Sequence, residues 1–287
     1  MADRPTRVVD AHVHLWDPAR TDWYPYLSHP QAPGAGDASR MFRRFDADTY
    51  RSEAAEWNVE KFVNVAAATG RHSIEETIEL DGNAQAGGPD AIIGGLPPTD
   101  TVAEAIELLD RQMAASRFRG VRPMGVHGGP VPDAGVLNAL AERDLVFELM
   151  SHADQLQVAA AQLAGFDDLT VVVEHTGWPR SNSDEERDLW RLGIDALAGL
   201  GDNILCKLSG LAMPFGSMSV DAFAPWLEYA IEAFGVDRCM FASNFPVDAM
   251  YGTFDDLYSA FSAVTADFDS ESRGKLFARN AERVYRC

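Results

Sequence analysis

Eight short apolar runs punctuate the chain, and a segment with helical periodicity follows each of them. The runs are VVDAHVH (8–14), FVNVA (62–66), AIIGGL (91–96), FRGVRPM (118–124), LVFELMSH (145–152), TVVVEH (170–175), NILCKLS (203–209) and RCMFASN (238–244). Helices are predicted over 48–58, 73–86, 101–115, 133–143, 154–164, 183–199 and 219–234, and two more, 255–265 and 271–285, finish the chain. Within 101–115 the apolar residues Val102, Ala105, Ile106 and Leu109 repeat with a helical period. Ser73 with Glu76 three residues on has the spacing of a capping box. Continuous apolar runs, rather than alternating ones, imply a parallel sheet covered by helices. Beyond the first interval the strands recur roughly every 30 residues, the length of a βα unit. Eight such units predict an α/β fold, a (β/α)8 barrel forming a single domain over residues 1–287. An open doubly wound sheet would want a Gly-rich phosphate loop after its first strand, where this chain has HLWDP.

In such a barrel the active site lies at the C-terminal ends of the strands. His12 and His14 end the first strand. Their i, i+2 spacing puts both on one face, with Asp10 behind them on that face. Of the seven histidines, His29 follows strand one, His72 strand two and His127 strand four, while His152 and His175 end strands five and six. Loops favour histidine in any case, so the four that terminate apolar strands are the stronger candidates. Lys207, one of only three lysines, interrupts an apolar strand. A buried ammonium needs a partner or a solvated cavity. Arg122 ends strand four, where a guanidinium can hold a carboxylate through two bonds or pair with Glu148. By strand parity Glu148 joins His152 in pointing inward, and Glu174, opposite in parity to His175, is expected to face the helices or to cap a loop. The long first loop, 15–47, carries Trp16, Trp23, Tyr24 and Tyr26. These aromatics either touch substrate or staple the loop to the barrel rim.

Composition narrows the class. At 287 residues, 46% of them hydrophobic, the chain can bury a large core. A formal charge of −20 argues against nucleic acid and anionic membranes as partners. No signal-like leader or spanning apolar run is present, and Cys206, Cys239 and Cys287 are too scattered for a disulfide framework, so a cytoplasmic protein is expected. GxSxG is absent, and the two central cysteines have the look of core fillers.

Seven motifs in order carry a resemblance: DAHVHLWDP (10–18), RGVRP (119–123), FELMSHADQL (147–156), VVEHTGWP (172–179), CKLSGL (206–211), FASNFPVD (241–248) and NAERVY (280–285). Together they resemble the lactonase-like branch of the amidohydrolase superfamily, TIM-barrel metal-dependent hydrolases that include sugar lactonases and pyrone-dicarboxylate lactonases. The resemblance implies that His12, His14 and His175 hold one divalent metal, zinc first, or polarise substrate without it. Arg122 and Lys207 would take the acyl or carboxylate end of the substrate, in a pocket that Glu148, His152 and Trp16 help to line. It also exposes a departure. Where the superfamily ends strand eight in an aspartate that binds metal and takes a proton from water, this chain has Asn244. An amide is no base near neutral pH and a poorer ligand, so metal occupancy is expected to be partial or lost. The base would then be Asp248 first, Glu148 second.

The resulting expectation is a hydrolase that opens a small, carboxylated lactone or related ester by water attack, a small-molecule enzyme able to form homo-oligomers. Its rivals are a non-oxidative decarboxylase of the same superfamily, against which Asn244 counts, and a catalytically inactive barrel that binds a small molecule.

Overall fold

The computed structural model describes residues 4–28, 36–83, 87–123 and 131–287. His29, His127, Met124 and part of the glycine-rich half of the first loop lie outside the described residues. Eight strands form one sheet: β1 (Val8–Val13), β2 (Val59–Val65), β3 (Ala91–Leu96), β4 (Phe118–Pro123), β5 (Val146–Leu149), β6 (Val171–Val173), β7 (Ile204–Leu208) and β8 (Cys239–Phe241). They pair in parallel in sequence order. The segment leaving β8 closes the ring, because Asn244 N–H donates to His12 O at 2.9 Å and His14 N–H to Phe245 O at 2.8 Å. The outer layer holds α1 (Ala47–Glu53), α2 (His72–Gly82), α3 (Val102–Gln112), α4 (Ala134–Glu142), α5 (Leu156–Leu163), α6 (Asp184–Ala198), α7 (Ala212–Phe215), α8 (Val220–Phe234) and α9 (Phe254–Val264). This is the predicted (β/α)8 barrel. Among the described residues no helix is long and apolar enough to cross a membrane.

The predicted final helix is broken. It runs as α10 (Ser270–Gly274), a π turn (Lys275–Arg279) and α11 (Asn280–Tyr285). Ala281, Val284 and Tyr285 join the inward residues Val9, Val63, Val146, Val172 and Leu205 in the core inside the ring. Lys61 and Arg119, at the starts of β2 and β4, hold the carbonyls of Cys287 and Tyr285. The chain's last turn therefore plugs the N-terminal end of the barrel and leaves the other end for chemistry.

The predicted capping box at Ser73 does not form. Ser73 Oγ donates to Gly70 O, and Glu76 turns inward, fully covered. Its carboxylate accepts the N–H groups of Ala67 and Ala68, just past β2, and the hydroxyl of Tyr24. Burial pushes this carboxyl up to about 7. The first loop is stapled in several places. Trp16 Nε1 donates to Met41 O and Arg43 O, Tyr26 OH donates to Ala67 O at 2.9 Å, and Arg20 lies over the Trp23 ring. One residue at the loop's start, Trp16, still stacks on His14 with ring centroids 5.9 Å apart, so stapling and proximity to the barrel mouth coexist.

Candidate active site

The first strand reaches its histidines through a bulge. Asp10 lies opposite Phe62 and Val13 opposite Asn64, so β1 spends three steps where β2 spends two. The extra residue breaks alternation. Asp10 therefore does not share the histidines' face as parity predicted. It accepts the Tyr50 hydroxyl of α1 at 2.8 Å and Ser243 N–H at 2.8 Å. His12 and His14 still point together, Nε2 to Nε2 at 3.1 Å.

The sixth strand breaks parity a second way. β6 stops at Val173, and His175 and Thr176 take left-handed φ of 52° and 56°. Such a turn strains a non-glycine backbone and sits where side chains must be aimed. It brings both Glu174 and His175 inward. His175 comes within 4.6 Å of His12, centroid to centroid, and its Nδ1 is 3.0 Å from Ser209 Oγ. Glu174, predicted to face the helices, is fully buried here. Its Oε1 is 3.6 Å from His12 Nδ1, and its Oε2 is 3.5 Å from Arg122 and 3.8 Å from His175 Nε2. Arg122 thus pairs with Glu174, not with the Glu148 considered from sequence, and also donates to Ala66 O. Gly210 packs against this turn with φ of +69°, and a Cβ there would lie 2.6 Å from His175 Cγ. Gly210→Ala is expected to displace His175 and to cut activity at least tenfold. An unchanged rate would show that the position of His175 is not critical.

Deeper in the barrel Lys207 Nζ donates to Glu148 Oε2 at 2.6 Å, and Tyr285 OH donates to Glu148 Oε1 at 2.5 Å. Lys207 Nζ is also 3.4 Å from His12 Nδ1. Neither residue of this ion pair has exposed side-chain surface. Past β8, Asn244 Nδ2 donates to Asp248 Oδ1 at 3.0 Å, while the buried Asp248 Oδ2 has no hydrogen-bond partner.

The electrostatics follow from burial. All three histidines titrate well below the ordinary imidazole value, first because burial penalises the cation, then because the positive charge of Lys207 acts on His12 and that of Arg122 on His14 and His175. They are neutral at pH 7. Burial lifts Asp248 to about 7, and it lifts Glu148 to about 7 against the opposing pull of Lys207.

The amidohydrolase family profile matches residues 9–287. The chain belongs to the amidohydrolase family. It is 31% identical to the uncharacterized protein y4mH of Sinorhizobium fredii, over 97% of this chain and 98% of that protein. It is 26% identical to an L-fucono-1,5-lactonase of Burkholderia ambifaria, over 97% of this chain and 95% of that one. Among solved structures, an amidohydrolase from Burkholderia multivorans with bound zinc superposes with a TM-score of 0.78 at 23% identity, over 97% of this chain and 99% of that chain.

In this amidohydrolase the residues named from sequence fall into two groups. His12, His14, His175 and Arg122 form one buried cluster at the strand ends, with Trp16 against His14. His152 lies at its edge, where it stacks on Trp178 at 4.5 Å, and Trp178 in turn stands 5.5 Å from His175. Lys207 and Glu148 form the floor and are bound to each other. His72 is elsewhere, half-exposed and bonded to Glu75. The cluster suits a divalent cation. His14 Nδ1 is committed to Val65 O and His175 Nδ1 to Ser209 Oγ, which leaves one nitrogen of each neutral ring for an ion. Among the described residues, ligand atoms of His12, Glu174 and His175 lie within 4.8 Å of one another, and Glu174 Oε1 is buried with no hydrogen-bond partner. Glu174 is the residue that the sequence reading missed. Its one signal was a carboxylate directly beside a strand-ending histidine.

Proposed function

We propose that this hydrolase opens a small lactone by water attack at the C-terminal mouth of the barrel. The observation that carries the reading is the cluster of three buried histidines, ring against ring, beside Arg122 and its partner Glu174. Neutral imidazoles at a covered site can ligate an ion or polarise a carbonyl, whereas protonated ones could not ligate. The likeness to an L-fucono-1,5-lactonase supports a lactone as the class of substrate. Trp16 and Trp178 place aromatic faces beside His14 and His175, where a ring substrate can lie.

A divalent ion, zinc for preference with imidazole ligands, would supply Lewis acidity at the acyl carbon. The chain's own groups do the rest. Arg122, with its Nε buried and unpaired, is placed to hold the acyl oxygen or a neighbouring carboxylate of the substrate. Asp248 takes the proton from the attacking water as the new C–O bond forms, and the ring oxygen leaves with that proton as the hydroxyl of the product acid. Asn244 holds Asp248 in place through its amide. The test is a panel of aldonolactones and carboxylated pyrone-type lactones, scored by acid release with and without added zinc. Hydrolysis of at least one class well above the spontaneous rate, abolished by His175→Asn, is expected. Binding without turnover across the panel would instead identify an inactive binding barrel.

A further inference from the structure

We propose that Glu76, a residue of α2 outside the histidine cluster, is the positioning residue for Arg122 and Tyr26, and that it acts by clamping the two peptide units that lie between them and itself. Its bearing on turnover rests on the reading that Arg122 holds the substrate.

In a trans peptide unit the C=O and the N–H point in opposite directions. Ala66 O and Ala67 N–H are the two ends of one such unit. Arg122 Nη2 donates to the oxygen, and Glu76 Oε2 accepts the N–H at 2.9 Å. Ala67 O and Ala68 N–H are the ends of the next. Tyr26 OH donates to that oxygen at 2.9 Å, and Glu76 accepts that N–H at 3.1 Å on Oε1 and 3.2 Å on Oε2. The preceding unit is held at both ends in the same way, by different partners. Val65 O faces His14 Nδ1 at 2.8 Å, and Ala66 N–H donates to Ile93 O of β3 at 2.8 Å. Three consecutive carbonyls at the exit of β2 thus serve His14, Arg122 and Tyr26. The sheet fixes the first. β2 ends at Val65, and Glu76 takes over for the next two. Tyr26 belongs to the rim of the site, because its ring meets Trp16 edge to face at 6.2 Å and Trp16 stacks on His14.

Two adjacent N–H groups could be met by any acceptor, and a buried carboxylate is the costly choice. What it offers is acceptance on both oxygens with no donor of its own. It also polarises each peptide, which strengthens the bond made by the oxygen at the far end. Tyr24 OH donates to Oε1 at 2.9 Å, so the first loop is tied to the same carboxylate. Thr69 sends both its N–H and its hydroxyl to Trp23 O, which ties that loop to the strand exit once more. Arg122 depends on the clamp. Its bond to Glu174 is 3.5 Å long, and its Nε is buried with no partner among the described residues. Ala66 O is therefore the contact that fixes where the guanidinium lies. Without the carboxylate both peptides can turn, and Arg122 and Tyr26 lose their acceptors together.

Glu76→Gln is the deciding variant. It keeps the shape but puts an NH2 group where a peptide N–H or the Tyr24 hydroxyl now donates. Glu76→Asp, which draws the carboxylate back by one methylene, takes its place if the first does not fold. One readout needs no substrate. In 15N-labelled protein the Arg122 guanidinium is assigned by its loss in Arg122→Lys. Its Nη protons are expected to exchange with water about tenfold faster or more in Glu76→Gln than in wild type. The second readout is kinetic, on an aldonolactone or pyrone-type lactone that the wild type hydrolyses. KM is expected to rise about tenfold or more with kcat within about threefold, and Glu76→Gln should add little to KM once Arg122 is Lys. A purely structural glutamate would lower the melting temperature and the active fraction, and leave KM and the guanidinium unchanged. That pattern overturns the assignment, as do KM effects that multiply in full in the double variant. Failure of both variants to fold overturns it too. If the wild type opens no lactone, the hydrolase reading fails, and the Arg122 exchange rates still decide this one.

Discussion

Lys207→Met is expected to destabilise the protein by about 3–5 kcal/mol at pH 8, the cost of leaving a buried charge without its partner. Lys207 and Glu148 are both fully covered and bonded at 2.6 Å, and the rest of the carboxylate is met by Tyr285 of the terminal plug. Removing the ammonium strands Glu148 in an apolar interior. The loss should depend on pH in a definite sense. Burial already holds the Glu148 carboxyl up near 7, above its unfolded value near ~4.3, and Lys207 is the group pulling it down. Without Lys207 the folded value rises further. A raised acid favours the folded state only while protonated, so its contribution fades as pH climbs from about 4 through the folded value. The variant should therefore lose little at pH 5 and most at pH 8, measured by urea unfolding. The double variant Lys207→Met with Glu148→Gln should recover much of the difference, because no charge is left buried. A pH-independent loss, or no recovery in the double variant, would show that packing alone makes Lys207 matter. Either way this pair forms the floor of the site, and the substrate-binding role expected for Lys207 would have to act through His12.

The barrel was legible because it rests on periodicity, which survives small errors of boundary. Strand ends were not, and the site is made of strand ends. Predicted runs to His152, His175 and Asn244 overshoot because the sheet stops at Leu149, Val173 and Phe241 and the chain turns before its polar residues arrive. Parity carries no information past those points. It placed Glu174 outside, whereas the left-handed turn at His175 and Thr176 brings Glu174 in. It placed Asp10 with His12, whereas the bulge in β1 turns Asp10 outward to Tyr50. The inward direction of His12, His14 and His175 was readable all the same, since a histidine at the end of an apolar strand has few other uses. Glu76 shows the opposite failure. A helix-start pattern is local, but the unmet N–H groups of Ala67 and Ala68 are a demand of the neighbouring strand end, and they took the carboxylate.

Asp248→Asn is expected to lower kcat by about 10²–10⁴ while leaving the fold as stable as wild type, or more so, at pH 8. The two halves of this expectation share one cause. Asp248 is fully buried, accepts from Asn244 Nδ2 on one oxygen, and keeps Oδ2 unpaired. Its carboxyl is lifted to about 7, against an ordinary value near ~3.9. The folded state thus prefers the protonated acid. Ionising it costs stability progressively as pH rises from about 4 to 7, to a total on the order of 4 kcal/mol above that. A group kept solely for structure would not carry this cost, and an amide of the same shape removes it. A group kept as a base has its best value near the working pH. Wild-type activity should accordingly fall as pH drops through about 7, and Asp248→Asn should lose that limb along with its rate. The neighbouring change, Asn244→Asp, returns the carboxylate to the strand-eight position and should raise zinc affinity, though it sets two acids side by side where a 3.0 Å hydrogen bond from the Asn244 amide now joins the pair. If Asp248→Asn keeps full kcat while Asn244→Ala is dead, the roles reverse. Asn244 is then the group that orients water or substrate through its own amide, and Asp248 is the buried acceptor that holds it there.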